Sequence, residues 1–561
     1  MTDYPYLTLQ DSPAGKVSKV EDIELSWGLR LVILLPGRDK TALQCSLKHA
    51  TIRDQSYECL SYTWGNIFDS KIILDGHTVT ITRNLADALL HLRYETKPRT
   101  LWIDALCINQ RDIQERNVQV ARMGPIYRHA RETVIFIGPA AENSTEALLL
   151  LHDISSSPPE DFRRLLGILT DPKRAEAWDA LLKLMKRPWW QRAWIIQEYS
   201  VSKDVHLFCG RDSISGHGFG KAIQTLVALR FKGNIPPEQR YLIRHVASTP
   251  IHHLWSTRNM YQSPLSSKLD LVDTLRKFRG SQCSDARDKI YSLLELVERG
   301  TFPVPDYERS ILEVYQQVVQ ASTALGSLEV LTHHNQGIET SKLRLPSWCP
   351  DWTVMRGKRI LLWPNGYASA GVSRAAPIFY SGVVTLQGMV LDTIRPIAKF
   401  PSERFQNQLD ILSAVQEMEK VARQLSRKGV TELECLYAFC RTIVADRVYR
   451  IQHEHKGRVN LTAARVDLLW TAWREHPDPA SAEPGSDAKL FAEAMYSAMC
   501  GRVFFISSQG YMGLADGTAE ADDFVAILHG GNVPFCLRSI TSPLPNVPRL
   551  SERSFKLVGE W

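Results

Sequence analysis

"TLWIDALCINQRD", residues 100–112, decides how the rest of the chain is read. From Leu101 to Ile108 it is apolar except for Asp104. A short run without polar alternation is expected for a strand covered on both faces, as in a parallel sheet. Asn109, Gln110 and Asp112 follow, ahead of a segment with Val120, Met123, Tyr127 and Ala130 at helical spacing. Ligands in open α/β sheets sit beyond strand carboxyl ends, near helix N-termini, so Asn109 and Gln110 are candidate ligand contacts. The plainer alternative is that Asn109 or Asp112 caps the helix. Asp104, a carboxylate inside an apolar strand, either closes an ion pair or does chemistry. Pro125 lacks the N–H that would reach Ala121, so a kink is expected there.

Outward from this stretch the pattern alternates. "LRLVILLPG" (29–37), "YECLSYTWG" (57–65), "TVIFIGP" (133–139) and "VHLFCG" (205–210) read as strands. "KIILDGHTVTIT" (71–82) reads as a hairpin turning at Asp75-Gly76. "NLADALLHLRY" (84–94) reads as a helix capped by Asn84. Strands alternating with helices argue for an α/β fold with a mostly parallel sheet and flanking helices. Trp64-Gly65, at a strand end, allows close backbone approach to a ligand; a tight turn beside a core tryptophan is the plainer account.

"RPWWQRAWIIQEYS" (187–200) reads as one helix entered at Pro188. On such a helix Glu198 lies roughly 40° from Trp194, with Trp190 the same step further round. A carboxylate beside an aromatic face needs a cation, a donor or a ligand. Arg187 and Arg192 are the local cations, and a buried Arg–Glu pair is the structural alternative.

Residues 216–345 are mainly helical in pattern, "DARDKIYSLLELV" (285–297) being the clearest case. "LPSWCPDW" (345–352) is a rigid Pro/Trp segment expected to lie on a domain surface. Strand-like sequence begins near 378 and returns in "GRVFFISSQGYMGLADG", a small C-terminal β unit. Within it lie a helical insertion (405–472) and a polar Pro/Ser linker (475–489).

The 561 residues suggest two or three domains. Hydrophobic content of 44% and charged content of 23% allow a sizeable core. The net charge of +6 carries no Lys/Arg block, so a nucleic-acid partner is not expected. Ten cysteines without a C-x-x-C argue for reduced thiols in the cytosol or nucleus. The N-terminus does not read as a signal peptide, and no apolar run suggests membrane insertion. P-loop, dinucleotide, zincin and nucleophile-elbow motifs are missing. His252-His253 and His333-His334 lack partnered ligand spacing, so no metal site is expected.

"YECLSYTWG", "LWIDALCINQRD" and "RAWIIQE", in that order, resemble the fungal heterokaryon-incompatibility (HET) domain. "DARDKIYSLL", "VPDY" (304–307), "LPSWCPDW" and "GYMGLADG" resemble the usual continuation of long HET proteins. Cys59 stands where alanine is usual, and Pro125 interrupts a helix normally unbroken. The resemblance implies a HET domain over 20–215 with its core at 57–210. A helical region (216–377) and the β unit (378–561) would follow. It implies a role in self/non-self recognition ending in cell death, with an incompatibility partner or self-association, in the cytoplasm. The HET domain is also similar, distantly, to TIR domains, whose W-x-x-x-E helix supplies an NAD-cleaving glutamate. Trp194 and Glu198 have that spacing. By that resemblance Glu198 and Asp104 are the catalytic candidates. Trp64, Gly65, Asn109, Gln110, Trp190 and Trp194 are the candidate ligand contacts, and NAD is a candidate substrate rather than a bound cofactor. The alternative is a non-enzymatic HET module signalling through protein–protein contacts.

Overall fold

The computed structural model describes residues 4–11, 20–38, 41–54, 56–157, 161–229, 243, 250–263, 269–298, 302–333, 343–354, 377–380, 383–399, 408–425, 427–445, 448–449, 458–459, 462–477, 486–540 and 555–560. The chain forms two compact units, Met1–Ser310 and Ile311–Trp561.

The first unit is built on nine strands: β1 (Gly28–Leu34), β2 (Gln44–Thr51), β3 (Glu58–Tyr62), β4 (Ser70–Leu74), β5 (His77–Ile81), β6 (Arg99–Trp102), β7 (Glu132–Phe136), β8 (Val205–Cys209) and β9 (Asp212–Ser215). They form one sheet in the order β5-β4-β2-β1-β6-β3-β7-β8-β9. Its centre, β6-β3-β7-β8, is parallel throughout. Antiparallel strands flank this centre, with one further parallel pairing between β2 and β4. The α/β class therefore holds, with a mixed sheet whose parallel part carries the three motif segments. β3 is buried along its whole length, as expected for a strand covered on both faces.

The helices are α1 (Val20–Leu25), α2 (Arg83–Leu92), α3 (Asp104–Cys107), α4 (Ile113–His129), α5 (Ser144–Ser156), α6 (Phe162–Thr170), α7 (Ala175–Leu184), α8 (Ile195–Val201), α9 (Gly216–Leu229), α10 (Pro250–Gln262), α11 (Leu271–Lys277) and α12 (Asp288–Tyr291). The β4–β5 hairpin turns on Asp75 and Gly76 with φ of 49° and 81°, as a two-residue type I′ turn requires. α4 continues through Pro125 and is capped by Asp112, whose carboxylate accepts from the Glu115 amide.

Three local expectations are corrected. α2 is capped by Thr82, which accepts from the Leu85 amide, and not by Asn84. The strand expected over 100–108 stops at Trp102. Asp104 instead opens a single helical turn, its Oδ1 accepting from the Ala105 amide at 2.8 Å, a local bond that competes with the sheet ladder. The helix expected over 187–200 is two pieces, a 3₁₀ turn (Pro188–Gln191) and α8. Between them Arg192 is extended, at φ −69° and ψ 140°, and pairs with Gln282 in a parallel bridge. A partner ninety residues away is invisible to local periodicity.

Chain from both sides of the sequence is fastened onto α4. Arg128 pairs with both Glu24 and Glu295, Asn117 Nδ2 donates to Asp306, and Arg116 lies 3.8 Å over the Tyr307 ring. Gly124 faces Glu295, and a Cβ there would meet the Glu295 Cγ at 2.2 Å. In an open helix glycine-to-alanine gains about 1 kcal/mol. Here overpacking reverses the sign: Gly124→Ala is expected to destabilise by about 1–3 kcal/mol in urea denaturation. An unchanged or raised midpoint would show that Glu295 moves aside freely.

In the second unit a six-stranded antiparallel sheet is centred on β10 (Gly388–Lys399), with β11 (Arg502–Ser507) and β12 (Phe524–Leu528) beside it. Along β11, Phe504 and Ile506 enter a core shared with the helices Gln408–Leu425, Glu432–Ile443, Ala463–Glu475 and Asp487–Met499. Phe505 points to the opposite core, with Ile394 and Val525, as the two-residue period of a strand demands. The last of these helices is capped by Ser486, inside the stretch read as a polar linker; residues 478–485 of that stretch lie outside the described residues. The Pro/Trp segment is not peripheral: Trp352 is fully buried, edge-on to Tyr315.

Candidate functional site

β3 and β6 run parallel, with Trp102, the last residue of β6, level with Cys59 of β3. After β3 come Thr63, Trp64 and Gly65; after β6 come Ile103 and then Asp104. The Trp64 indole N–H donates to Asp104 Oδ2 at 2.8 Å, joining the first two motifs. The third motif enters through Arg192 and Glu198. Arg192 donates to the Tyr62 carbonyl at the end of β3, and its Nη1 lies 3.8 Å from Glu198 Oε2. Ser61 Oγ donates to Glu198 and accepts from the Trp189 indole N–H at 2.9 Å. Trp64, Asp104, Arg192, Glu198, Ser61 and Trp189 thus form one group at the sheet's carboxyl edge, where α/β folds place their sites.

Burial sets the electrostatics. Glu198 is 1% exposed and Asp104 8%. Loss of water pushes the Glu198 carboxyl up to about 7; Arg192 and the Ser61 hydroxyl oppose the rise, and Asp104 adds to it. Asp104 is also raised by burial, against the pull of Arg192, Trp64 and the Ala105 amide. One guanidinium therefore faces two carboxyls, and its N–H is also engaged by the Tyr62 carbonyl. Such a group holds protons near neutrality, the property expected of a general acid and equally of a buried structural switch.

The remaining candidates are placed as follows. Gln110 Nε2 donates to the Asp104 carbonyl at 3.0 Å and so fastens the loop after β6. Asn109 is tied by its amide to Glu115, which Arg30 grips in turn; its side chain accepts from the Arg111 amide. Both are part-exposed beside the group. Gly65 has a φ of +73°, and the atom against its face is the Asn84 amide nitrogen, 2.8 Å from where a Cβ would stand. Trp190 stacks on Phe219 with centroids 5.4 Å apart and donates to the Leu184 carbonyl, so its ring is engaged within the core. Trp194, part-exposed, donates to Asp288. Of the two local arginines, Arg192 approaches Glu198, whereas Arg187 is spent on the carbonyls of Ile137, Pro139 and Ala141. Ser61 and Trp189 were not singled out from sequence. Ser61 sits inside "LSYTWG", a segment whose sequence signal lies in Trp64-Gly65 at its end.

Residues 57–198 match the family model of Heterokaryon incompatibility protein (HET). The stretch bearing the three motifs is therefore a HET domain. The whole chain is 22% identical over 657 aligned positions to heterokaryon incompatibility protein 6, OR allele, of Neurospora crassa. That alignment covers 98% of this chain and 95% of the relative. No solved structure matches. Among the described residues no helix is long and apolar enough to cross a membrane, and no cluster of three metal-ligating side chains is found.

Proposed function

We propose that this HET-domain chain is an effector of heterokaryon incompatibility, acting in the cytoplasm to trigger cell death when a non-self partner engages it. The observation that supports this most is the convergence of all three HET motifs on one group that holds two buried carboxyls, Glu198 and Asp104. A buried, proton-holding carboxyl costs stability that a purely structural helix has no need to spend. The resemblance to incompatibility proteins supplies the role, and a partner protein or self-association supplies the trigger.

The output has two readings. Contact-mediated signalling is favoured by the closure of Glu198, which is sealed by Ser61 and Arg192. NAD cleavage, by distant likeness to TIR domains, is favoured by the part-exposed Trp64 and Arg192 at the same edge. In that reading the Glu198 carboxylate stabilises positive charge on the ribose as nicotinamide leaves, and Trp64 stacks on the ring.

The test is inducible expression of the full chain in fungal cells, wild type against Glu198→Gln, scoring viability and cellular NAD together. Death abolished by the substitution is the expected result. Accompanying NAD loss would assign the output to catalysis, and constant NAD to contacts. Equal killing by both chains would remove Glu198 from the mechanism.

A further inference from the structure

The HET family match ends at Glu198, in the middle of α8. A seven-residue helix is marginal by itself, and this one has no side-chain cap at its first residue. Its ends are completed from elsewhere in the first unit. At the amino end the Gln282 carbonyl accepts the Ala193 amide at 2.8 Å, and Asp288 accepts from the Trp194 indole. Asp288 is held in turn by the Tyr307 hydroxyl at 2.6 Å. At the carboxyl end Arg258 donates to the carbonyls of Tyr199 and Ser202, each at 2.6 Å, and of Lys203 at 2.8 Å. Gln262 donates to the carbonyls of Ser200 and Ser202, each at 3.0 Å. The last carbonyls of a helix lack internal partners, and a cation there also meets the negative end of the helix dipole.

We infer that residues 250–263, 269–298 and 302–309 act as a clamp that sets the Glu198 helix, with Arg258 and Asp288 as its positioning residues, so that the working HET unit extends about a hundred residues beyond the family match. Neither residue touches the Glu198 group directly; each acts through the ends of α8. Arg258 is spent almost wholly on backbone, lying also 5.3 Å over the Tyr199 ring. Burial lowers its affinity for the proton, with Tyr199 and Asp204 opposing the shift. Asp288, half-buried, is raised to about 6 by loss of water, with the Tyr307 and Trp194 donors opposing the rise. The functional weight of the clamp rests on Glu198 carrying the output; its mechanical part does not.

The experiment is amide hydrogen exchange, read by mass spectrometry on the purified 561-residue chain, comparing wild type with Arg258→Gln, Arg258→Lys and Asp288→Asn. Exchange in peptides covering 195–201 is expected to rise at least tenfold in Arg258→Gln and in Asp288→Asn, with peptides from β1 and β2 unchanged. Arg258→Lys is expected to recover part of the protection, since an ammonium still donates to one or two carbonyls. Unchanged exchange in 195–201, or a uniform rise across the sheet, would overturn the clamp. If Arg258→Gln fails to fold, Gln262→Ala and Asp288→Asn decide the matter alone. Glu198→Gln is scored for killing in parallel. Its failure to matter would sink the functional reading while leaving the exchange result to stand or fall separately.

Discussion

Replacing Glu198 by glutamine removes a pH dependence from the stability of the first unit. The Glu198 carboxyl is raised from 4.5 to about 7, because burial outweighs an arginine that it shares with Asp104. A raised carboxyl binds its proton more tightly in the folded than in the unfolded chain. Its contribution to stability is therefore fully present below pH 4.5 and is lost as pH climbs through about 7. At 1.36 kcal/mol per pH unit, the difference in unfolding free energy between wild type and Glu198→Gln should change by about 3 kcal/mol between pH 4.5 and pH 8. The wild type loses ground as the solution becomes basic. Asp104 and Asp288 titrate in both proteins, so they largely cancel in the difference. Urea denaturation at four pH values measures it. A difference that stays flat would mean that Glu198 is ionised throughout and that Arg192 neutralises it.

Arg192→Met produces the complementary result. The guanidinium is the cation that opposes the rise of both Asp104 and Glu198. Without it both carboxyls climb further. At pH 8 the folded chain must then bury an unpaired anion or take up a proton from a dilute supply, and a loss of about 3–5 kcal/mol is expected. At pH 5 Glu198 is readily protonated. The loss then shrinks towards the bond to the Tyr62 carbonyl, about 1 kcal/mol. The double variant Arg192→Met/Glu198→Gln should recover much of the loss at pH 8, since the anion that made it costly has gone. The same pair of residues thus gives a coupling energy that vanishes in acid. A loss equal at both pH values would assign Arg192 to packing and backbone contacts.

What the sequence made legible follows from how local each signal is. Apolar runs such as "LRLVILL" and "TVIFI" mark strands because each run itself is buried. Asp75-Gly76 marks its hairpin because two adjacent residues need positive φ. The first two motifs are drawn together by the parallel pairing of β3 with β6 and by the Trp64–Asp104 bond beyond it. Tertiary partners were illegible. Asp104 reads as mid-strand until the local bond that opens α3 is known. Residues 187–200 read as one helix because the Gln282 bridge that opens the chain at Arg192 leaves no periodic trace. Trp190 had the right angle on an ideal helix, but a 3₁₀ turn and a break removed that geometry and left Trp189 to reach Ser61.

The capping of α8 from downstream also has a meaning in time. A ribosome releases Glu198 well before it releases Arg258, Asp288 and Tyr307. At roughly 5–20 residues per second, the hundred or so residues from Glu198 to Tyr307 take on the order of ten seconds to synthesise. Until Arg258 is made, about halfway through that interval, the helix that carries Glu198 lacks both of its end partners. A polysome making this chain therefore carries half-built HET segments whose Glu198 helix is still unset, and a transcript broken before the codon for Arg258 yields a product that never acquires the clamp.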